Sequence, residues 1–526
     1  MNGITPLLPS SRETLDLVKA AMTADPNDVQ KAYTQSFGLV NYDLQPVALR
    51  LIPVLSPLRN LIPRVSGNGG TATNWKAITG VNTAQLSVGV SEGNRGGFQT
   101  STLASYLATY KGIGLEDYVT FEADYAAQGF DDAKAKAVAL LLASMMMEEE
   151  KLILGGNTSN ATSPALGTAN TPSLLTVTTG GGIATATAVY VAVCELTLDG
   201  YNRATVSAGL PGQMSRTNAD ASTDNYGGGN GVVSAVTANI TTGAGSLNSV
   251  QASVVPKPGA VAWAWYWGPT GAANMALGAI TTVPTVNITT AVGTGTQKAN
   301  DAKVIADYST NALVYDGLLS QIMPAGSLTT YDSTLASATI YTSATANALV
   351  GQMATGVAGT GTALTSDNSG GVVEIDQMLQ NFWNLYRLSP SKILVNAQEA
   401  KNINKKVMAA STGSLFRFNT DWAGSGDQAG IGGTGTRAYY NKFTGQMLQI
   451  MIHPFIPAGT IVFWSDSIPY PLSGVGNTIQ IKIRRDYYQL EWPVTKRRYE
   501  YGVYLDAVLQ NYVPIAFGVL RNIANG

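Results

Sequence analysis

Three features of the sequence predict an α+β chain of several parts, with an all-β sandwich set into a mixed host fold. The first is one strong helix: from 137 to 147 only Ser144 interrupts an apolar run whose single β-branched residue is Val138, so helix propensity is high throughout. The second is a fall in charge. Between Gly156 and Asn300 the only charged residues are Glu195, Asp199, Arg203, Arg216, Asp220, Asp224, Lys257 and Lys298. The third is a return to mixed patterning after 301, where an amphipathic helix, a short apolar strand and a second helix follow one another.

The helix is predicted over 131–155 and reads as a spine. Asp131 and Asp132 can cap its start and suit the positive end of its dipole. Gly155 and Gly156 stop it. Roughly 25 residues at ~1.5 Å each make a rod of about 37 Å. Its middle is apolar on nearly all faces, which predicts burial on several sides. Its length and the charged run Glu148-Glu149-Glu150-Lys151 exclude a membrane span.

A chain of 526 residues exceeds what one core can hold and predicts three or four domains. Only 13% of its residues are charged, against ~25% in typical soluble domains, which suits a protein packed against copies of itself. The net charge of -2 offers nucleic acid no general attraction. Cys194 is the one cysteine, so no internal disulfide forms. Residues 1–19 lack a basic start followed by an apolar core, so no signal peptide is expected. Without one, the glycosylation patterns at Asn157, Asn160, Asn239 and Asn287 are ascribed to chance in a chain rich in Asn and Thr.

Residues 1–63 read as an arm. Ser10 and Glu13 form a capping box, and Asp25-Pro26 opens a second short helix. Pro46, Pro53, Pro57 and Pro63 then recur among Leu51, Ile52, Leu55 and Ile62. So many prolines exclude helix and central strand, leaving an extended apolar segment with no core of its own. Residues 64–105 read as a long hairpin: a strand through Trp75, Lys76 and Ile78, a turn-rich tip holding Glu92 and Arg95, and a second strand set from 105 to 122. An isolated hairpin is barely stable in water and needs a neighbour. The expected subunit contacts are therefore Leu51, Ile62, Arg64, Trp75, Lys76, Ile78, Glu92 and Arg95.

Strand-like runs separated by Gly, Pro, Asn and Ser clusters mark 165–298 as a β-sandwich. Trp263, Trp265 and Trp267 fall on one face with Val261 and are read as its core, in preference to a sugar-binding aromatic face. Residues 301–445 read as an α/β domain, with an amphipathic helix over 374–387, a strand over 392–395 and Asn396 capping the next helix. Strands dominate 446–526.

Catalytic chemistry is not expected. Gly430, Gly432 and Gly435 match a dinucleotide fingerprint, but neither a strand before nor a helix after supports it. His453 and Cys194 are single and far apart, which argues against zinc or a Cys-His nucleophile. Three consecutive helical glutamates point apart and do not converge on one ion. No enzyme activity, cofactor or metal follows. Arg484, Arg485, Lys496, Arg497 and Arg498 lie among Tyr487, Tyr488, Trp492 and Tyr499, a pattern open to nucleic-acid binding. Glu148, Glu149 and Glu150, however, crowd the negative end of a helix dipole and call for cations. An ion-pair network between the two sets, within or between copies, is the preferred reading.

Val119-Thr120-Phe121-Glu122-Ala123, Gly129-Phe130-Asp131-Asp132 and the run from Glu148 to Gly156 together resemble the major capsid proteins of tailed double-stranded DNA bacteriophages. Residues 371–376 and 388–395 are similar to the axial-domain pattern of the same family. The resemblance implies the Hong Kong phage capsid fold. The parts are an N-terminal arm (1–63), an extended hairpin loop (64–105) and a peripheral domain (106–160) with its spine. An axial α/β domain (301–445) and further peripheral strands with the C-terminal segment (446–526) complete it. The region 165–298 resembles the immunoglobulin-like insertions of some of these proteins. By resemblance the chain would form hexamers and pentamers of an icosahedral shell and touch packaged double-stranded DNA weakly and non-specifically. It would use separate scaffolding, portal and decoration proteins and no membrane. It would reside in the virion capsid, and in the host cytoplasm during assembly. An encapsulin-like compartment is the alternative in the same fold, and a surface adhesin or array protein the alternative outside it.

Three expectations concern processing and layout. The arm lacks a long charged helical segment, so no maturation cleavage is expected. In one branch of the family a hairpin lysine bonds covalently to a neighbour; Lys76 is the only hairpin candidate and no crosslink is expected. The insertion, entered and left through Gly-, Thr- and Ser-rich stretches, is expected to sit outside and to be dispensable for closure.

Overall fold

A computed structural model describes residues 55–67, 69–82, 89–128, 132–158, 165–218, 220–323, 328–335, 338–343, 346–356, 359–409, 438–471 and 473–525. Leu51, most of the arm, and the glycines at 430–435 lie outside them. The described chain falls into two compact units, one containing 119–136 and the other 54–118 with 137–526. In the smaller, Thr120 Oγ1 accepts from Ala123 N at 3.3 Å and caps the helix Phe121–Ala127. Asp132 Oδ1 accepts from Ala135 N at 2.9 Å and caps the start of the spine.

The spine runs Ala133–Gly155. Its buried residues are Leu141, Ala143, Met145, Glu149, Glu150, Ile153, Leu154 and Gly155; from 137 to 140 it is half-buried or exposed. Burial on several sides therefore holds only toward its C-terminal end, where the larger unit wraps it. There Gly155 is needed for space, since a Cβ would come within 2.6 Å of Leu198 Cβ.

A four-stranded sheet has the order Arg64–Ser66, Ile479–Glu491, Arg498–Asn511, Lys111–Thr120. Residues 64–66, read as hairpin, are thus an edge strand running parallel to 481–483. The hairpin proper pairs Ala72–Asn82 with Thr100–Thr109, from Ala72 opposite Thr109 to Asn82 opposite Thr100.

An eight-stranded sheet has the order Leu328–Leu335, Ala338–Ser343, Leu349–Met353, Phe517–Arg521, Ile461–Trp464, Lys392–Val395, Met447–Ile452, Ala438–Tyr440. The sequence reading placed everything after 446 with the peripheral strands; instead 447–452, 461–464 and 517–521 join this sheet, and 479–511 joins the four-stranded one. The cause is local. Ile393, Leu394 and Val395 are all fully buried, so their strand needs partners on both edges. It takes Met447–Ile452 in parallel and Ile461–Trp464 antiparallel. The helix Val373–Tyr386 packs Phe382 against Phe463 at 5.9 Å and ends where Arg387 turns left-handed, φ 53°. Asn396 Oδ1 accepts from Gln398 N at 3.0 Å and starts the helix Ala397–Ala409.

Glu399 in that helix is fully buried, with Gly459 N on Oε1 at 2.9 Å and Asn402 Nδ2 on Oε2 at 3.3 Å. Burial raises its pKa above the ordinary 4.5, outweighing both hydrogen bonds. A raised carboxyl adds stability below its unfolded pKa and loses it as pH rises through the folded value. Glu399→Gln should therefore raise the melting temperature at pH 7, and the gain should shrink toward pH 4; a gain independent of pH would contradict this origin.

The region after the spine forms two larger antiparallel sheets beside a hairpin of Gln213–Thr217 and Thr223–Gly227. One has the order Ala276–Thr281, Ala262–Gly268, Ala188–Leu196, Asn239–Thr241; the other Thr285–Ile288, Ser249–Ser253, Ser173–Val177. Trp263, Trp265 and Trp267 lie between them with Val189, Val191, Val193, Val250 and Ile288. Each indole keeps a polar partner, Glu195, Thr281 and Thr290 in turn. The outer face of the first sheet is also covered: Cys194, Tyr266 and Leu277 pack with Leu210 and Val304. The strand Ala262–Gly268 is consequently buried along its whole length.

The joints of this sandwich, exposed at several positions of 165–171 and 291–300, are anchored to the rest of the chain at others. Leu166 and Ala169 at the entry and Ala299 and Val304 at the exit are buried. Leu166 N donates to Ser309 Oγ at 2.9 Å and Gly167 N to Asp307 Oδ2 at 2.6 Å. From the eight-stranded sheet, Arg521 Nη1 reaches Lys257 O at 3.1 Å and Ala260 O at 3.2 Å. Gly293 and Gly295 at the exit serve close backbone approach: a Cβ on the first would clash with Ala276 O, and one on the second would meet Val206 O at 2.6 Å.

Candidate assembly surface

The acidic end of the spine is a buried network. Glu149 and Glu150 are both fully enclosed. Glu149 Oε1 takes Arg64 Nη1 at 2.7 Å; its Oε2 takes Arg59 Nε at 2.8 Å and the Tyr487 hydroxyl. Glu150 does different work. Its two oxygens accept the backbone N–H groups of Leu58 (2.8 Å) and Arg59 (2.7 Å), the first turn of the helix Pro57–Leu61. Ser56, at the cap position, makes no side-chain cap bond, so the carboxylate supplies the cap and favourable charge from another helix. His453 Nε2 lies 2.5 Å from Glu150 Oε1, while Nδ1 accepts from Phe455 N at 3.2 Å. That leaves Nε2 to carry the proton and donate it.

Burial opposes the charges of Arg59 and Arg64, but their contacts, Tyr487 with Glu149 for Arg59 and Glu149 with Asp486 for Arg64, outweigh it and hold both pKa values above the ordinary range. Burial, then Glu149, pushes the Tyr487 phenol up. Both guanidinium groups also lie over the Tyr487 ring, 5.1 and 5.3 Å from its centre.

The expected pairing of Glu148, Glu149 and Glu150 with the basic strand set is therefore corrected within the subunit. Arg484 pairs with Asp506 at 2.9 Å and Arg498 with Glu500 at 2.5 Å, while Arg485 lies 3.7 Å over the Tyr488 ring. Lys496 and Arg497 are exposed at the turn between the two strands. Glu148 pairs with Lys151 at 2.6 Å. Each strand arginine finds an acid or ring on its own or the adjacent strand, closer than the spine. Cations do meet the glutamates, but they are Arg59 and Arg64, whose surrounding prolines disguise a helix and an edge strand as an extended arm.

Two interface candidates have partners within the chain. Ile62, at 2% exposure, is buried by its own subunit. Trp75 is half-buried, stacked on Tyr106 at 5.7 Å and edge-on to Tyr512 at 5.8 Å. The open surface of the hairpin is its other face. There the register sets Asn74 opposite Leu107, Lys76 opposite Ser105 and Ile78 opposite Leu103, and exposures reach 67% for Ile78, 62% for Leu103 and 64% for Leu107. Lys76, Glu92, Arg95 and Phe98 are exposed as well.

No group of His, Cys, Asp and Glu able to hold a metal ion occurs among the described residues, and none of their helices is long and apolar enough to cross a membrane. The cavity beside Gly155, Leu198 and Leu319 has about 20 Å³ for a water-sized centre, too little for a substrate.

No protein-family model and no curated protein matches the sequence. Solved structures are similar in fold. The capsid of a native GTA particle is similar over 93% of this chain and 96% of its own, at 9% identity and a TM-score of 0.41. The cyanophage A-1(L) capsid is similar over 92% and 98%, at 12% and 0.38. The chain resembles capsid proteins. A holo-SrpI encapsulin complex from Synechococcus elongatus is similar over 93% and 94%, at 9% and 0.34.

Proposed function

We propose that the chain is the structural subunit of a self-assembling icosahedral shell of the tailed-phage kind, enclosing double-stranded DNA, with no catalytic role. The observation that carries this reading is the hairpin: an apolar stripe on a two-stranded element, largely uncovered by the described residues on that face. Burying one such side chain contributes ~1.5–3 kcal/mol, repeated at every copy, so a shell lattice gains most from covering it. The arm, the hairpin and the spine supply contacts between copies in hexamers and pentamers. DNA contact is weak and non-specific, through exposed groups such as Lys496 and Arg497. Scaffolding, portal and decoration proteins are separate chains, assembly takes place in the host cytoplasm, and the immunoglobulin-like sandwich faces outward.

Electron microscopy of the purified protein tests the reading. Closed shells support it; monomers or open arrays under all assembly conditions contradict it. Packaged genome rather than protein cargo separates it from an encapsulin. The double variant Ile78→Asp, Leu107→Asp should abolish shells while the subunit's unfolding free energy stays within ~0.5 kcal/mol of wild type, as for other surface changes. A variant that still closes shells would remove the stripe from the lattice.

Lys76 is exposed rather than set in the dry pocket that a spontaneous isopeptide bond needs. Boiled, denatured particles should run as monomers on a gel; a ladder of multimers would contradict this.

A further inference from the structure

Where the sandwich meets the eight-stranded sheet lies a small cavity lined by Ala260, Val261, Leu319, Thr460, Arg521 and Asn522, among others. It has about 10 Å³ for a water-sized centre, close to what one water needs. Arg521 and Asn522 are each 3% exposed. Arg521 spends three hydrogen bonds on neutral acceptors: Lys257 O, Ala260 O and, through Nη2, Gln352 Oε1 at 2.8 Å. Its Nε–H and the Asn522 Nδ2 group are buried donors without a partner among the described residues. Among the described residues no carboxylate forms an ion pair with the guanidinium. Its opposing charge is Glu195, linked to it through one residue, since Lys257 N donates to Glu195 Oε1 at 3.0 Å while Lys257 O accepts from Arg521. Burial lowers Arg521 to about 10, so the group remains cationic at neutral pH.

Two unpartnered buried donors, one of them charged, are costly, and both belong to residues lining a cavity of one-atom size. We propose that this junction binds a single small hydrogen-bond acceptor, a halide ion or a water, held by Arg521 Nε and Asn522 Nδ2. It completes the contact between sandwich and sheet. The chemistry of the two donors excludes a cation, and the volume excludes a polyatomic anion such as phosphate.

The test is a density map of the full chain that resolves ordered waters, repeated with bromide replacing chloride and using bromide's anomalous signal. A peak within hydrogen-bonding distance of both donors is expected. If it carries the bromide signal, and thermal stability rises with chloride but not with gluconate, the acceptor is a halide. If it carries none and stability ignores chloride, the acceptor is water. Asn522 has φ 63°, which glycine tolerates, so Asn522→Gly should fold while weakening or losing the peak. A cavity without density, in a map that shows neighbouring waters, would overturn the proposal. So would protein acceptors found on both donors.

Discussion

Glu149→Ala should destabilise the subunit by about 3–5 kcal/mol, the usual cost of removing one partner of a buried ion pair. The substitution strips Arg59 and Arg64 of their shared carboxylate and leaves the Tyr487 hydroxyl without its acceptor. It thereby loosens the helix Pro57–Leu61 and the edge strand Arg64–Ser66 together. Denaturant unfolding of the isolated subunit measures the cost. A double-mutant cycle with Arg64→Ala should show coupling above ~0.5 kcal/mol, the level at which contacting residues depart from additivity. Loss of less than ~1 kcal/mol would mean the network is solvated in solution, where exposed pairs contribute that little.

Deleting 165–298 and closing the gap with a short Gly/Ser linker should yield no folded subunit. The sequence alone suggested the reverse, a removable outer knob, because the flanks are rich in small residues. Deletion would uncover Arg521, whose partners Lys257 and Ala260 belong to the sandwich. It would also take Leu198 from the end of the spine, where the packing leaves no room for a Cβ on Gly155. Expression of the deletion followed by circular dichroism and cooperative melting decides it. A soluble, cooperatively melting product would restore the independent-domain reading, and shells formed from it would make the sandwich dispensable.

What could be read from the sequence depended on how local the signal was. The spine, the helix Val373–Tyr386 and the buried strand Lys392–Val395 announce themselves within a few turns, by periodicity, capping and breakers. The tryptophan strand does the same by alternation. Partner choice is non-local and escaped. Nothing near Ile461–Trp464 says that it lies beside Lys392–Val395 rather than with the strands around 479–511. Likewise the demand for cations at Glu149 was visible, but not that they come from residues some 85–90 positions earlier. Trp75 and Ile62 were read as sticky because their own segments lack a core; Tyr512 and the body of the subunit supply one from far along the chain.

The most direct test of the shell reading is a cryo-electron microscopy map of assembled particles, inspected at the hairpin. The account predicts Ile78, Leu103 and Leu107 in van der Waals contact with a neighbouring copy at every lattice position, while Glu149 keeps Arg59 and Arg64 of its own subunit. Particles in which that stripe faces solvent in all copies would contradict it.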